Sequence, residues 1–469
     1  MMIAGGLALG GCASLSPDAG MGTVQGIVAS DLGKSSIKVE SDAAAADAGG
    51  RVARLLKASL TADAAVQVAI FSNRGLQAEF DELGIADAQR LAASLPPNPK
   101  FSAIGYFASN ALEIDGQIAA SILALATLPA RREIAGLNFE SAKLRTAEAV
   151  LRLAAQTRRQ YFRAVAATEQ LAVLEQARAS SDVAAELTKK LGEAGTLNKL
   201  DQAREFAFQT ELGAQVARAR LSERLERERL SRLMGLWGGQ IAYKLPRALP
   251  ALPKSVKTAR DIEGIAIERR IDLKLARASL SATARQFGLT EATRYVNDVE
   301  LVAGAQITRD VRVDGAGVRS IDRAYKFGPG VNFEIPLFDF GQARVAEAEQ
   351  TYLREANRLA EKAVTIRSEV REAYQAYKGA YDIARYYETK LLPLRRIIQD
   401  QSLLQYSGML IDVSTLLVDA RARVFSLAQA VDAKREFWLA EVDLKHATVG
   451  GGVLGVTLSV SAAAPGAGG

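Results

Sequence analysis

Few residues in this chain could carry out covalent or metal chemistry. The sequence contains one cysteine, Cys12, and one histidine, His446, among its 469 residues. A single histidine argues against a histidine metal site and against a His-based catalytic triad. The sequence also lacks the Gly-x-x-x-x-Gly-Lys-Ser/Thr motif of a nucleotide-binding loop. We therefore expect no enzyme, no bound metal and no cofactor.

The only cysteine follows a short apolar segment. Residues 1–11 predict a signal peptide. The sequence Leu-Gly-Gly-Cys at residues 9–12 resembles a bacterial lipobox, in which cleavage leaves the cysteine as a lipidated N-terminus. We predict lipidation at Cys12; the alternative is an ordinary apolar N-terminus with a chance cysteine. Residues 13–50 are rich in Gly, Ala, Ser and Asp without periodicity, so residues 12–60 are assigned to a lipidated N-terminal tether.

The charge pattern indicates solvated helices and no nucleic-acid partner. The 59 basic and 53 acidic residues leave a net charge of +6. The signs are interleaved, as in Ser-Glu-Arg-Leu-Glu-Arg-Glu-Arg at residues 222–229, which is typical of an ion-paired helix face. No stretch reaches the roughly 18 consecutive apolar residues of a transmembrane helix, so any membrane spanning would have to use strands.

Four segments have the period-two pattern of amphipathic strands. They are residues 100–109, residues 113–122, Val299–Val313 and the segment that ends at Pro336. One side of these strands carries the polar residues Glu113, Asp115, Gln117, Glu300, Gln306, Asn332 and Glu334. The other side is apolar. Because proline donates no ladder hydrogen bond, we expect pairing to end near Pro336, and the alanine-rich sequence after Gly341 predicts a helix.

Most of the remaining sequence predicts long helices, among them helices over residues 61–95, 261–293 and 342–392. No proline occurs between Pro129 and Pro246, and the main interruption is at residues 192–195. This predicts two antiparallel helices of roughly 50–60 and 40 residues, the longer reaching about 80–90 Å. Helices of this length are typical of coiled coils and helical tubes rather than globular domains.

The same order of elements occurs twice. Gly195 and Gly408 are separated by the same interval as Tyr161 and Tyr374, and both glycines open a Gly-x-Leu sequence. We interpret the chain as a duplicated unit of helix, strand hairpin and long helical hairpin. The repeats are assigned to residues 61–245 and 246–448, and residues 449–469 are predicted to be a disordered tail.

Two strands per repeat cannot form a closed barrel. An open sheet edge is not tolerated in lipid, so closure requires several copies of the chain. Three copies would supply 12 strands, an even number in the range of bacterial barrels. The predicted fold is therefore mainly α with membrane β: four strands per chain in a trimeric 12-strand barrel continued by a long α-helical barrel. A ring of four copies would also close the barrel.

Several short sequences resemble the TolC family of outer-membrane efflux proteins across residues 61–446. The matching pieces are Ile-Pro-Leu-Phe-Asp-Phe-Gly at residues 335–341, Arg-Ile-Asp-Leu at 270–273, the two Gly-x-Leu sequences, and Leu-Leu-Val-Asp-Ala-Arg at 416–421. The resemblance implies a homotrimeric channel in the bacterial outer membrane with a large periplasmic α-barrel. It implies the exit duct of a tripartite efflux pump for drugs or metal ions, with a periplasmic adaptor (membrane fusion) protein, an inner-membrane pump and outer-membrane lipid as partners. Type I protein secretion is the alternative within the family, and a non-membrane coiled-coil scaffold is the alternative outside it.

The resemblance also implies roles for particular residues. The adaptor-contact tips would be Gly195, Thr196, Leu197, Gly408, Met409 and Leu410. The periplasmic gate would use Asp419, with Leu416 in place of a second acidic residue and Asp412 as a further charge. Pro336 and Gly341 would form the strand–helix junction, and the polar strand faces would line the lumen. Trp237 and Trp438 are predicted to be packing residues, and His446 is predicted to be inert.

Overall fold

The computed structural model describes residues 14–256, 261–296, 298–313, 315–317, 319–334 and 338–452. Within these residues most of the chain is helical, and the strands form one antiparallel sheet. The predicted fold class, mainly helical with four strands in a duplicated chain, is confirmed. No helix in the described part of the chain is both long and apolar enough to cross a membrane.

The elements of the described residues follow the order of two repeats. The helices are α1 (Met21–Leu32), α2 (Asp42–Lys57), α3 (Ala62–Ser72), α4 (Arg74–Ser94), α5 (Ile122–Ala126), α6 (Leu128–Glu193), α7 (Lys199–Leu233), α8 (Ile262–Arg269), α9 (Ile271–Ala292), α10 (Gln342–Tyr386), α11 (Leu392–Ser407) and α12 (Val413–Val449). The strands are β1 (Lys100–Phe107), β2 (Ala111–Ser121), β3 (Val299–Val313) and β4 (Arg319–Phe333). A 3₁₀ helix covers Gly238–Ile241, and a π-helical segment covers Tyr387–Leu391.

The chain forms two compact units. Unit 1 contains the described residues within Met1–Met21, Asp81–Leu144 and Lys274–Glu361, and it holds all four strands. Unit 2 contains those within Gly22–Phe80, Arg145–Leu273 and Lys362–Gly469. Unit 2 holds the first helical hairpin turn, between α6 and α7, and the second, between α11 and α12.

The sheet of unit 1 has the order β1-β2-β3-β4, with every neighbouring pair antiparallel. Each repeat contributes one hairpin, and the pairing of β2 with β3 joins them. In this register Ile114 lies opposite Ile307, and Leu301 lies opposite Val331. Residues that the sequence assigns to one side of a strand therefore remain together across the sheet.

The two faces of the sheet differ in polarity, and among the described residues the large side chains of the apolar face are exposed. One face carries the apolar side chains Phe101, Ile114, Ile118, Leu301, Ile307, Tyr325, Phe327, Val331 and Phe333, all of them exposed. Phe327 is the most exposed of these, at 85%. The opposite face carries the polar residues. An exposed apolar face of this extent marks a surface that another molecule or a membrane covers.

The core of unit 2 is built from alanine and a cluster of aromatic side chains. Tyr377, Tyr381 and Phe437 pack together where α10 meets α12. Trp438 stacks on Phe162 of α6 with ring centroids 5.2 Å apart, and its indole N–H donates to Pro250 O at 3.1 Å. Trp438 is thus a packing residue, as predicted. Buried alanines fill much of the remaining contact, which lets the helix backbones approach closely.

Trp237 does not pack, contrary to the sequence prediction. Its side chain is 81% exposed and lies immediately before the 3₁₀ helix. Gly235 before it has φ +66°, and a Cβ there would lie 2.5 Å from Ser72 O, so this glycine permits the backbone to approach α3. The chain turns at this point with its neighbour Leu236 buried and the indole facing solvent.

The N-terminal segment contains helices that the sequence pattern does not predict. Residues 13–50 read as an aperiodic tether, whereas the structure has α1 and most of α2 there. The Ser41 hydroxyl caps α2 by accepting from Ala44 N at 3.2 Å, and Ala48 and Val52 are buried. The Gln77 side chain donates to Ile37 O and accepts from Val39 N, which fixes the segment before α2. Tertiary contacts thus order a segment whose composition alone favours flexibility.

Three predicted helices are interrupted. The helix expected over residues 61–95 breaks at Asn73, whose amide donates to Leu233 O and accepts from Leu76 N. The helix expected over residues 261–293 breaks at Arg270. The helix expected up to Leu392 changes at Tyr387 to a π-helical turn, because the ring of Pro393 cannot follow a regular α-turn.

Candidate functional site

The first helical hairpin ends in a glycine turn of the Schellman type. Gly195 has φ +73°, Gly195 N donates to Gly192 O, and Thr196 N donates to Leu191 O at 3.0 Å. Asn198 then caps α7 by accepting from Asp201 N at 2.8 Å. The hydrogen-bonding groups at the turn are thereby satisfied locally, and Gly195 and Thr196 are exposed.

The second hairpin has the same turn, displaced by one residue. Met409, not Gly408, has the left-handed backbone, with φ +60°, and Gly408 has φ −85°. Met409 N donates to Tyr406 O and Leu410 N donates to Gln405 O, the pattern of the first turn. Gly195 is therefore structurally equivalent to Met409, which corrects the sequence alignment of Gly195 with Gly408. Met409 is 93% exposed and Leu410 is also exposed.

Asp412, one of the predicted gate residues, is the N-cap of α12. It accepts from Thr415 N at 2.8 Å and from the Ser414 hydroxyl at 2.9 Å. The hydrogen bonds from Thr415, and then that from Ser414, lower the pKa of Asp412 below its usual value. Its charge also lies at the positive end of the helix dipole. Capping of α12 therefore explains why an acidic residue lies at position 412.

Asp419 and Leu416 lie on α12, one turn apart, and both are half-buried. The Asp419 carboxylate accepts a short hydrogen bond from the hydroxyl of Ser402, a buried residue of α11. Asp419 therefore joins the two helices of its own hairpin. On the same hairpin Arg423 of α12 donates to the Gln399 side chain of α11.

A buried ion pair joins the second hairpin to the first. Arg421 of α12 donates to Glu205 of α7 at 2.7 Å, and Glu205 is only 2% exposed. The Arg421 guanidinium also lies 4.2 Å from the centroid of the Phe208 ring. Glu205 Oε1 and Arg421 Nε are buried without a hydrogen-bond partner among the described residues. The ion pair is thus in direct hydrogen-bond contact, but one atom of each partner has no hydrogen bond among the described residues.

Sequence reasoning did not identify this ion pair as a functional contact. Arg421 is part of the quoted sequence at residues 416–421, but Glu205 lies on a helix whose mixed charges read as a solvated face. Only the packing of α12 on α7 distinguishes Glu205 from its charged neighbours. A covariation between these two positions is the signal that could have revealed it.

The predicted lumen residues share one face of the sheet. Glu113, Asp115 and Gln117 of β2 lie opposite Thr308, Gln306 and Gly304 of β3, and Glu300 lies opposite Asn332 of β4. Glu334 lies one residue beyond the end of β4. On this face Lys100 pairs with Glu300 at 2.8 Å, and Gln306 donates to Glu113. The face is therefore polar, with both charge signs present.

The strand–helix junction depends on Gly341. Its φ is +70°, and a Cβ at this position would lie 2.2 Å from Arg294 O, so no larger residue fits without moving the backbone. Asp339 accepts from Gly341 N at 3.0 Å and its carbonyl accepts from Gln342 N, which starts α10. Pro336, the other predicted junction residue, and Cys12, the predicted lipidation site, lie outside the described residues.

Comparison with known proteins identifies one family. Residues 264–448 match the model of the family described as Outer membrane efflux protein. No functionally curated protein matches the chain in sequence.

Solved structures with similar folds are outer-membrane channels. CusC, from a study of its folding and transmembrane channel formation, is 17% identical; the match covers 83% of this chain and 92% of CusC, with a TM-score of 0.69. The Campylobacter jejuni CmeC outer membrane channel is 16% identical over 84% of this chain and 86% of its own, with a TM-score of 0.69. The Neisseria gonorrhoeae MtrE outer membrane channel, in its open state, is 16% identical over 82% and 88%, with a TM-score of 0.63. At these identities the likeness concerns the fold.

Proposed function

The chain carries an outer membrane efflux protein domain at residues 264–448, and from this premise we propose that three copies form a passive outer-membrane channel. The channel is the exit duct of a tripartite efflux pump that exports drugs or metal ions. The helices of unit 2 form its periplasmic part, which closes at the helical-hairpin tips.

The observation that carries this proposal is the exposed apolar face of the sheet. A soluble protein would bury such side chains as Phe327 and Phe101, both of them more than two-thirds exposed. The edge strands β1 and β4 have partners on one side only. Since lipid tolerates no open edge, β4 of one copy pairs with β1 of the next, and three copies close a barrel of 12 strands.

The polar face of the sheet lines the lumen in this arrangement. Two of its charges, Lys100 and Glu300, neutralise each other, whereas the Glu113 carboxylate accepts a hydrogen bond from the uncharged Gln306. The lumen is wet and carries both signs, with a mild preference for cations. Such a duct supplies no energy, so the inner-membrane pump drives transport and a periplasmic adaptor connects the two.

The gate opens when the second helical hairpin moves away from the first. This movement breaks the ion pair between Arg421 and Glu205 but leaves the bonds of Asp419 to Ser402 and of Arg423 to Gln399 intact, because those lie within the moving hairpin. Leu416 and Asp412 move with it as the proposed constriction. Rigid movement of a packed hairpin is an established form of switching.

The adaptor binds the hairpin tips. Met409 and Leu410 place two large apolar side chains on the surface of the second tip, and Leu404 is exposed one turn before them. The first tip contributes Thr196 and the half-buried Leu197. Exposed apolar side chains at a rigid turn are suited to insertion into a partner's groove.

Single-channel conductance in planar bilayers tests the duct and its gate together. Detergent-extracted wild-type protein is expected to give small steps, and Arg421→Gln to give steps several-fold larger, because it removes the contact between hairpins. Arg423→Gln is the matched control, and it should leave the conductance at the wild-type level. Protein that stays soluble without detergent and gives no conductance would favour a coiled-coil scaffold. Equal effects of the two arginine substitutions would remove Arg421 from the gate.

A further inference from the structure

Two arginines lie directly opposite each other on the apolar face of the sheet. Arg309 of β3 and Arg323 of β4 are cross-strand partners in the β3–β4 register. They follow the pair Ile307 and Tyr325 by one row on the same face, because side chains two apart on a strand point the same way. Both arginines are exposed.

This arrangement places two like charges together without compensation. Directly opposite residues have Cβ atoms about 4.5–5.5 Å apart, and like charges in such a pair destabilise the sheet. Among the residues that the structure describes, neither guanidinium has a hydrogen bond or an ion pair. Arg312, on the opposite face, lies 3.8 Å from Asp322 of β4. The uncompensated pair is specific to the apolar face.

The arginine pair lies near one end of the apolar face, with Val311 and Ile321 one row beyond it on the same face. From Phe333 to Tyr325 the apolar face of β4 rises about 27 Å along the strand, which becomes about 20 Å of membrane depth at the usual barrel tilt. This approaches the apolar height of about 25 Å found in outer-membrane barrels. The next row is Arg309 and Arg323, at the end of the sheet that carries the β1–β2 and β3–β4 turns. Ten residues separate Phe333 from Arg323, about 25 Å of membrane depth at this tilt, which corresponds to headgroup level if the apolar face lies in lipid.

We propose that Arg309 and Arg323 bind the phosphate of an anionic lipid headgroup on the outside of the barrel. Guanidinium groups contact phosphate through paired N–H donors, and one phosphate between two arginines removes their repulsion. Arginine costs little near the interface but about 2–4 kcal/mol at the bilayer midplane, so the headgroup level is where such a pair is tolerated. The inference rests on the proposed function, since it requires the apolar face to lie in lipid.

Reconstitution with a phosphorylated lipid tests the site. Full-length protein is placed in phosphatidylcholine vesicles with or without lipid A, and the thermal midpoint of oligomer dissociation is measured. Lipid A is expected to raise the wild-type midpoint by about 2–4 °C. The double variant Arg309→Gln/Arg323→Gln should lose this shift, while Arg312→Gln, a substitution on the opposite face of the same hairpin, should keep it. In phosphatidylcholine alone the double variant should melt at or above the wild-type midpoint, because its repulsion is gone.

Each alternative outcome has a distinct meaning. Loss of the shift in Arg312→Gln as well would show general charge attraction and overturn the site. An equal shift with inorganic phosphate in place of lipid A would assign the pair to free anions and overturn the lipid partner. Protein that inserts into the vesicles but shows no change of thermal midpoint with lipid A would also overturn the lipid site. That result would leave the channel proposal intact. Failure to insert into either vesicle would instead count against the channel itself.

Discussion

Arg270 is the most completely buried charged residue of unit 2 that the structure describes. It is 1% exposed, and its guanidinium makes two hydrogen bonds to Asp272, one to Glu369 at 2.6 Å and a longer one to Ala447 O. Burial alone disfavours the charge, but the hydrogen bonds and attraction of Asp272 and Glu369 outweigh it, so the pKa of Arg270 is raised. The residue connects α9, α10 and the end of α12.

Loss of Arg270 is expected to be far more damaging than loss of the adjacent Arg269. Arg270→Met leaves the Asp272 carboxylate buried without its main partner, at a cost of about 3–5 kcal/mol of unfolding free energy. Arg269, whose side chain is half exposed, pairs with Asp31, so Arg269→Met should cost only about 1 kcal/mol. Denaturant unfolding in detergent measures both. Similar costs for the two variants would contradict a structural role specific to Arg270.

His446 is buried at the end of α12 and stays neutral in the folded protein. Burial, reinforced by the positive charge of Arg270, lowers the pKa of His446 to about 4 from an ordinary value of 6.5. The unfolded chain therefore takes up a proton below pH 6.5 that the folded chain refuses until about pH 4. This contribution to stability is complete above pH 6.5 and is lost as the pH falls through that window.

Replacing His446 should reduce the acid sensitivity of the protein. Between pH 7.5 and pH 5 the wild type is expected to lose about 2 kcal/mol of stability through this group. His446→Gln, which cannot titrate, should show a smaller drop in thermal midpoint over the same interval. Parallel pH curves for the two proteins would mean that the imidazole titrates normally, and that burial does not depress its pKa.

At the scale of elements, the two hairpin turns reach the same geometry with different residues. The first turn places glycine at the left-handed position, and the second places Met409 there. A non-glycine residue with this backbone costs about 1–2 kcal/mol. The second turn keeps this strain while exposing the methionine side chain at the proposed adaptor surface.

Met409→Gly is therefore expected to stabilise the protein and weaken its contact with the adaptor. The gain should be about 1 kcal/mol or less, because the added freedom of the unfolded chain offsets part of the relieved strain. Gly408→Ala is the control, since its φ of −85° suits alanine and its nearest contacts are ordinary. Thermal unfolding measures the first effect and adaptor pull-down the second. A destabilised Met409→Gly would show that the methionine side chain packs at the tip.

At the scale of the whole molecule, the strands and long helices follow from sequence patterns. The bounds of β3 match the predicted segment, and the interruption of the first hairpin lies where glycine and helix-capping residues occur. Pro393 marks the π-helical turn at Tyr387, but local patterns could not predict the order of α1 and α2 or the exposure of Trp237. Each of these depends on distant contacts, such as Gln77 with residues 37–39. The burial of Glu205 is of the same kind.

The polarity of the sheet faces makes opposite predictions for adjacent residues of β4. Phe327 lies on the apolar face and Lys326 lies on the polar face opposite Gln306. Phe327→Asp should reduce the yield of heat-resistant oligomer, because a carboxylate on the lipid-facing band is destabilising, although by less than the about 2–4 kcal/mol per copy that Arg or Lys costs at the midplane. Lys326→Asp should leave assembly unchanged and increase cation selectivity. Oligomer yield on unheated gels and reversal potential in bilayers measure the two effects. Equal assembly of both variants would mean that the apolar face is not in lipid.

The π-helical turn also lets the two repeats keep the same tip geometry although their lengths differ by one residue. Before this turn the repeats align with Tyr161 on Tyr374, and after it Gly195 aligns in structure with Met409, which is one residue further. In a regular α-helix one added residue would rotate everything beyond it by about 100°. The wider π turn absorbs that residue, so the second tip keeps the geometry of the first. A difference of one residue between the repeats is thereby taken up within the helix, and the orientation of the second tip does not require a continuous α-helix.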